Sequence, residues 1–236
     1  MAAPLLLLPG MMCDARLFAP QIAALSPART VAAAPIHAHD TTAALARAVL
    51  ADAPPRFALA GLSMGGIVAM EIAALAPERL AGLCLMDTNP KAEAAEVAAR
   101  RGPQVERVRA GGLRAVRRDE MKPNYLADGP GRGAVLALCM AMAEALGPEA
   151  FARQSRALAA RPDREASLAR VAVPALVLCG RHDALCPLHR HEAMHRAIPG
   201  SRLVVVEGAG HLPTLERPEE TTAAMAGWLA RVDAAA

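Results

Sequence analysis

Aromatic side chains are almost missing from this chain of 236 residues: Phe18, Phe57, Tyr125, Phe151 and Trp228 are all it has. Single-stranded nucleic acid is held on aromatic faces, and scattered rings do not build such a platform. A large excess of one charge is also missing. The formal net charge of +3 is too small to argue for nucleic acid on electrostatic grounds. Long apolar runs are absent as well. Uncharged stretches such as Phe57–Met70 and Gly133–Ala143 fall short of the ~20 residues that span a bilayer. The run Leu5–Leu8 has no Lys or Arg before it and lies between Pro4 and Pro9, unlike a signal peptide. The expected location is therefore cytoplasmic. Cys13, Cys84, Cys139, Cys179 and Cys186 are odd in number and lack paired spacing, so they read as apolar packing residues.

What remains is an alternation of strand and helix signals. Leu5–Leu8, Thr30–Ala34, Phe57–Ala60, Leu80–Met86, Val173–Cys179 and Leu203–Val206 are short apolar runs, most of them closed by Gly, Pro or Asp. Val68, Ile72 and Leu75 recur at helical spacing until Pro77. Continuous apolar strands with helices between them predict an α/β fold, a doubly wound, mostly parallel sheet of about six strands. The strand C-termini then share one edge, where open α/β sheets place their sites. Residues 89–166 differ. They hold no convincing strand, and helices are expected over about 91–101, 103–120, 132–146 and 148–160. The reading is a core of residues 1–88 and 167–236 with a helical insertion, 89–166, after the strand ending near Met86.

Three strand ends carry chemistry. Gly61-Leu62-Ser63-Met64-Gly65 lies between an apolar strand and a helix. In a chain of this composition a chance GxSxG is expected about 0.03 times. A sharp strand-to-helix turn exposes the serine oxygen, and flanking glycines leave room for the turn and the packed helix. The second end is Gly180-Arg181-His182-Asp183 and the third Gly208-Ala209-Gly210-His211. A serine hydroxyl needs a base, and a histidine base needs a carboxylate to hold its tautomer. The order Ser63, Asp183, His211 suits this topology. The plainer alternatives are an idle serine, a surface carboxylate and a turn histidine, and each loses ground once all three sit at strand ends.

The segments GLSMGG, VPALVLCGRHDALCP and EGAGHLPTLERPEE resemble the nucleophile elbow, acid loop and histidine loop of the α/β-hydrolase fold. They are similar to those of small serine esterases, enol-lactonases and carbon–carbon bond hydrolases. The resemblance implies Ser63 as nucleophile, His211 as general base and acid, and Asp183 as orienting carboxylate. It implies an oxyanion hole from the N–H groups of Met64 and of a residue after the first buried strand. Met11 is the candidate there, with Met12 next. Relatives commonly carry His-Gly at this point; Pro9-Gly10 stands here, so the loop needs support from elsewhere. The insertion corresponds to a cap over the site. The implied function is hydrolysis of a small carboxylic ester through an acyl-enzyme, with a lactonase, thioesterase or carbon–carbon hydrolase as alternatives. A ligand-binding receptor with a vestigial triad is the reading from another class. Serine at position 63, rather than aspartate, argues against a haloalkane dehalogenase.

No metal or organic cofactor is expected, nor a nucleic-acid or membrane partner; a homodimer stays open. The partner is a small-molecule ester or lactone. His191 and His195 are four apart with Glu192 after the first, the H-E-x-x-H spacing of a zinc helix, yet the expectation for His182, His189, His191 and His195 after Pro187 is that they face solvent. Asp87 reads as a turn cap or pocket residue, and in some relatives the acid sits there instead. Met11, Met12 and Met64 are expected to line the acyl site, and Met140 and Met142 to fill the cap core. Seven arginines between Arg100 and Arg118 form a solvated helical surface or attract an anionic substrate.

Overall fold

A computed structural model describes residues 2–121 and 125–235. Six strands form one sheet: β1 (Leu5–Leu8), β2 (Val31–Ala33), β3 (Phe57–Leu62), β4 (Leu80–Met86), β5 (Ala175–Gly180) and β6 (Arg202–Val206). Their order is β2-β1-β3-β4-β5-β6 and every pairing is parallel. The continuous apolar runs have their cause in this arrangement, because both faces are covered. Along β1, Leu6 and Leu8 enter one core, and Leu5 and Leu7 the other. Leu83 and Leu85 against Cys84 and Met86 repeat the alternation on β4.

The helices α1 (Ala19–Leu25), α2 (Thr42–Asp52) and α3 (Met64–Leu75) lie in the first half of the chain. α2 and α3 bring Leu45, Val49, Val68 and Ile72 to the first core; α1 brings Leu25 to the second. Burying a leucine-sized side chain contributes roughly 1.5–3 kcal/mol, so these layers hold the sheet from both sides.

Between β4 and β5 the described residues contain helices and no strand. α4 (Ala95–Arg107) packs on α5 (Arg132–Ala159), with wider turns at Val108–Gly112 and Val116–Met121 between them. Residues 122–124 of this insertion lie outside the described residues. A break was expected near Gly102-Pro103, but α4 runs through it. Both residues are exposed, so the carbonyl that a helical proline orphans can turn to solvent. By length and composition alone, α5 is the one helix among the described residues long and apolar enough to cross a membrane. It is broken at Gly147 (φ 76°), as the sequence suggests, and Phe151, Ala152 and Gln154 beyond the break are buried in the protein. Cys139 and Met142 are buried, while Met140 is half-buried.

The longer helices that follow are α6 (Leu188–Ala197) and α7 (Pro218–Ala234). α6 brings Met194 to the first core, and α7 brings Met225 and Trp228 to the second. The register finishes the positioning. Leu62 pairs with Met86, and Met86 with Leu178, so β3 and β4 end level while β5 continues to Gly180 beside β6. Ser63, Asp87 and the loop holding Asp183 leave the sheet together, with His211 after β6 alongside.

Candidate active site

Ser63 sits between β3 and α3 with φ 55° and ψ −116°, a conformation that costs a non-glycine residue on the order of 1–3 kcal/mol. Surrounding contacts hold it there. Its N–H donates to Met86 O (2.9 Å) and its carbonyl accepts from the Thr88 hydroxyl (2.7 Å). The neighbouring glycines are required by contact. A Cβ on Gly65 would lie 2.0 Å from Leu8 O, and one on Gly61 2.3 Å from Gly65 O.

His211 Nε2 lies 2.9 Å from Ser63 Oγ, and its Nδ1 lies 2.8 Å from Asp183 Oδ2. The three sequence-predicted residues are thus one hydrogen-bonded chain. If Nδ1 carries the proton toward Asp183, Nε2 is left as an acceptor for the serine hydroxyl. The His211 N–H donates to Tyr125 O (2.6 Å), and the Tyr125 ring stands edge-on to the imidazole with centroids 5.1 Å apart. Asp183 Oδ1 accepts from the Leu185 N–H (2.8 Å) and the Cys186 N–H (3.0 Å). Burial works to raise this carboxyl, but the His211 charge and hydrogen bond, with the Cys186 N–H, outweigh it and hold Asp183 at about 2. It is ionised throughout the neutral range.

Asp87 is fully buried beside it. Its Oδ1 accepts from the Gly180 N–H (2.9 Å), while no N–H group reaches its buried Oδ2. Burial, then the adjacent Asp183 charge, pushes the Asp87 carboxyl well above the ordinary carboxylate range. The two carboxyl groups are close enough to shift each other in opposite directions. Two adjacent buried carboxyls do not both ionise, so Asp87 is held neutral beside the ionised Asp183.

His191 corrects an expectation. It was read as solvent-facing, yet it is fully buried and its Nε2 accepts from the Thr88 N–H (3.1 Å). Burial lowers it to about 4, so at neutral pH it is an uncharged acceptor. The i, i+4 spacing hid this, because α6 turns His191 inward while His195 on the next turn bonds Ser201 Oγ (2.8 Å).

The loop after β1 lies against the serine: a Cβ on Gly10 would be 3.6 Å from Ser63 Cβ. Met64, the first residue of α3, has an N–H with no carbonyl partner within its helix. The Met12 N–H is already committed to Gln154 Oε1 (2.9 Å), which leaves Met11 as the loop's candidate donor. Gln154 Nε2 also donates to Ile36 O (2.9 Å). This buried amide, from α5, is the support that Pro9 cannot give. Sequence reasoning missed it, as a glutamine inside a helix carries no signal of a tertiary bond. Glu216 was missed too. Its carboxylate accepts from the N–H groups of Gly210, Leu212 and Ala127 at 2.8–2.9 Å, clamping the histidine loop to the insertion.

A cavity of about 490 Å³ opens above Ser63 and His211. Met11 and Met64 line it as expected; Met12, fully buried, does not. The insertion contributes Val97, Arg101, Tyr125, Leu158 and Arg161. Ligand atoms of Asp183, Cys186 and His211 cluster within 4.8 Å of one another. The donor set does not suit a metal, since the imidazole and carboxylate are engaged with each other and burial, then Asp183, pushes the Cys186 thiol up. All five cysteines are buried and none is in a disulfide. Burial raises Cys84 and takes Cys179 to about 12, so neither offers a thiolate.

The likeness to known proteins spans most of the chain. A family model described as "Alpha/beta hydrolase family" matches residues 5–224. The chain is 29% identical over 182 residues to a pimeloyl-[acyl-carrier protein] methyl ester esterase of Neisseria meningitidis serogroup C, covering 75% of this chain and 70% of that protein. Among solved structures, a thermophilic esterase from Thermogutta terrifontis, with malate bound, superposes with a TM-score of 0.89 at 32% identity, covering 98% of this chain and 91% of that one. An enol-lactonase from Burkholderia xenovorans gives a TM-score of 0.86 at 26% identity, covering 98% and 92%.

Proposed function

Since the chain belongs to the alpha/beta hydrolase family and is a hydrolase of the esterase type, we propose that it cleaves a small carboxylic ester through an acyl-enzyme on Ser63. One observation carries the reading: the unbroken chain from Ser63 Oγ through His211 to Asp183, with bonds of 2.9 and 2.8 Å. Ser63 Oγ attacks the ester carbonyl while His211 Nε2 takes its proton. The Asp183 carboxylate stabilises the resulting imidazolium. The tetrahedral oxyanion turns toward the N–H groups of Met64 and Met11, where each donor is worth roughly 10²–10³ in rate. His211 returns the proton to the leaving alkoxide. Water, deprotonated by the same nitrogen, then releases the acid and restores the serine. The helical insertion acts as a cap that shapes the acyl site.

Opening of a lactone runs on the same groups, the leaving alkoxide remaining tethered. The likeness to an enol-lactonase structure favours it as the second reading. The test is turnover of p-nitrophenyl butyrate and labelling by a fluorophosphonate. Ser63→Ala is expected to lose both, by roughly 10³-fold or more in turnover. Near wild-type turnover in that variant refutes the nucleophile. A wild-type protein that fails to label would be a binding module with an idle triad.

A further inference from the structure

Most arginines of the insertion outside the cavity are spent locally. Arg109 pairs with Glu149, Arg114 with Glu144 and Arg118 with Asp119. Inside the cavity the charges do not balance. Lys91, Arg100, Arg101, Arg161 and Arg190 line it, and Glu93 is the one carboxylate among the lining residues. Lys91 reaches out to Glu165 (3.6 Å), while among the described residues Arg100 and Arg190 make no ion pair. Glu93 is shared. Arg101 grips it through Nε and Nη2 and Arg161 through Nη1 (2.7 Å). The side chains of Arg101, Arg161 and Glu93 are 13%, 9% and 3% exposed. Two guanidinium ions and one carboxylate, largely withdrawn from water, leave a positive charge without a counter-ion, which is costly to keep. The geometry also links this charge to the reaction, because Arg101 Nη1 lies 3.9 Å from the Met11 sulfur on the loop beside Ser63.

We propose that the Arg101–Glu93–Arg161 cluster is the binding site for a carboxylate on the acyl part of the substrate, so that the preferred ester is the monoester of a short dicarboxylic acid. The inference rests on Ser63 as the nucleophile and adds the chemical class of what it attacks. Glu93 holds the two guanidinium forks in place, and the incoming carboxylate completes the charge balance. Arg100 and Arg190 raise the local concentration of anions at the mouth. Planar forks suit a carboxylate, which accepts two parallel N–H bonds.

The experiment compares mono-p-nitrophenyl adipate with p-nitrophenyl hexanoate, which have the same carbon count and differ in the terminal carboxylate. In the wild type, kcat/KM is expected to favour the adipate by about tenfold or more, one such charge-assisted contact being worth that much. Arg161→Gln and Arg101→Gln should each reduce the ratio of the two kcat/KM values by about tenfold, mainly through KM for the adipate. The ratio is internal to each variant, so partial loss of folded protein cancels. Arg190→Gln, at the mouth, should lower it less and in a salt-dependent way. A wild-type ratio near one, or variants that slow both esters equally, overturns the carboxylate site and leaves the nucleophile standing. Calorimetry of monomethyl adipate and methyl hexanoate on Ser63→Ala separates the two failures. Tighter binding of the adipate there supports the site whatever the variant's turnover, and equal binding rejects it.

Discussion

Gln154 gives the most exacting test of how the insertion supports the chemistry. Its amide spans two buried backbone groups, accepting from the Met12 N–H and donating to the Ile36 carbonyl, each at 2.9 Å. Met12, Ile36 and Gln154 are all within 1% of full burial, so no solvent replaces either bond. Gln154→Leu keeps similar volume and removes both. Each buried group left without a partner costs about 1–3 kcal/mol, so a loss of roughly 2–6 kcal/mol of stability is expected. Met12 also holds φ 58°, and a strained backbone persists only while its contacts fix it. Releasing it should let the adjacent Met11 N–H drift from the oxyanion, with kcat falling by up to the ~10²–10³ that one donor supplies. Gln154→Glu separates the effects: a carboxylate still accepts from Met12 but cannot donate to Ile36. It should lose stability while keeping far more kcat than Gln154→Leu. Thermal melts and p-nitrophenyl butyrate kinetics at a temperature where all variants are folded supply the comparison. Equal kcat in the wild type and Gln154→Leu would refute the claim that this amide positions the loop.

Asp87→Asn should preserve activity, since the amide is as uncharged as the protonated carboxyl beside Asp183 and can still accept from Gly180; loss of turnover by 10²-fold would show that Asp87 must be an acid. The sign of its pH effect is set by the raised folded value of Asp87. Its favourable contribution is complete below the unfolded carboxylate range and is lost as pH climbs toward the folded value, so the gap in melting temperature between Asn variant and wild type should shift in the variant's favour from pH 4 to pH 8. Gly65→Ala drives a Cβ to 2.0 Å from Leu8 O and should cost about 1–3 kcal/mol together with much of the activity, read by melting and by ester turnover; an unchanged melt would mean that α3 can back away from β1 freely.

The core was legible because its physics is local. A strand covered on both faces must be apolar at every position, and a run such as Leu80–Met86 announces itself, ends included. Gly61, Gly65 and Ser63 were legible because a strained turn and a close helix admit few residue types. Asp183 and His211 followed from what a serine needs. The helical insertion was legible only as helices. Gly147-Pro148 marked a true break and Gly102-Pro103 did not, since a helix tolerates proline where its orphaned carbonyl faces water. Strand β2 shrank to Val31–Ala33 at the sheet edge, where one neighbour and partial exposure leave little to define its ends.

The residues that sequence reasoning missed share one property: each is polar, at least partly withdrawn from water and bonded to backbone far away along the chain. Gln154 reaches Met12, Glu216 reaches Ala127, and His191 reaches Thr88. No periodicity betrays such a partner, and composition assigns these residue types to the surface. Yet these bonds hold the loops that bear the reacting groups, because a loop cannot satisfy its own backbone as a helix or strand does. Polar side chains withdrawn from water are tolerated where a catalytic loop needs fixing, and their cost is offset there by charge-assisted or buried bonds. The same reasoning separates Glu93 from the acids on the surface of the insertion. Its carboxylate serves two guanidinium groups where water is scarce, so its surroundings are still short of one negative charge. A monoester with a free carboxylate brings that charge with it, and the cluster then selects among esters that the triad alone would treat alike.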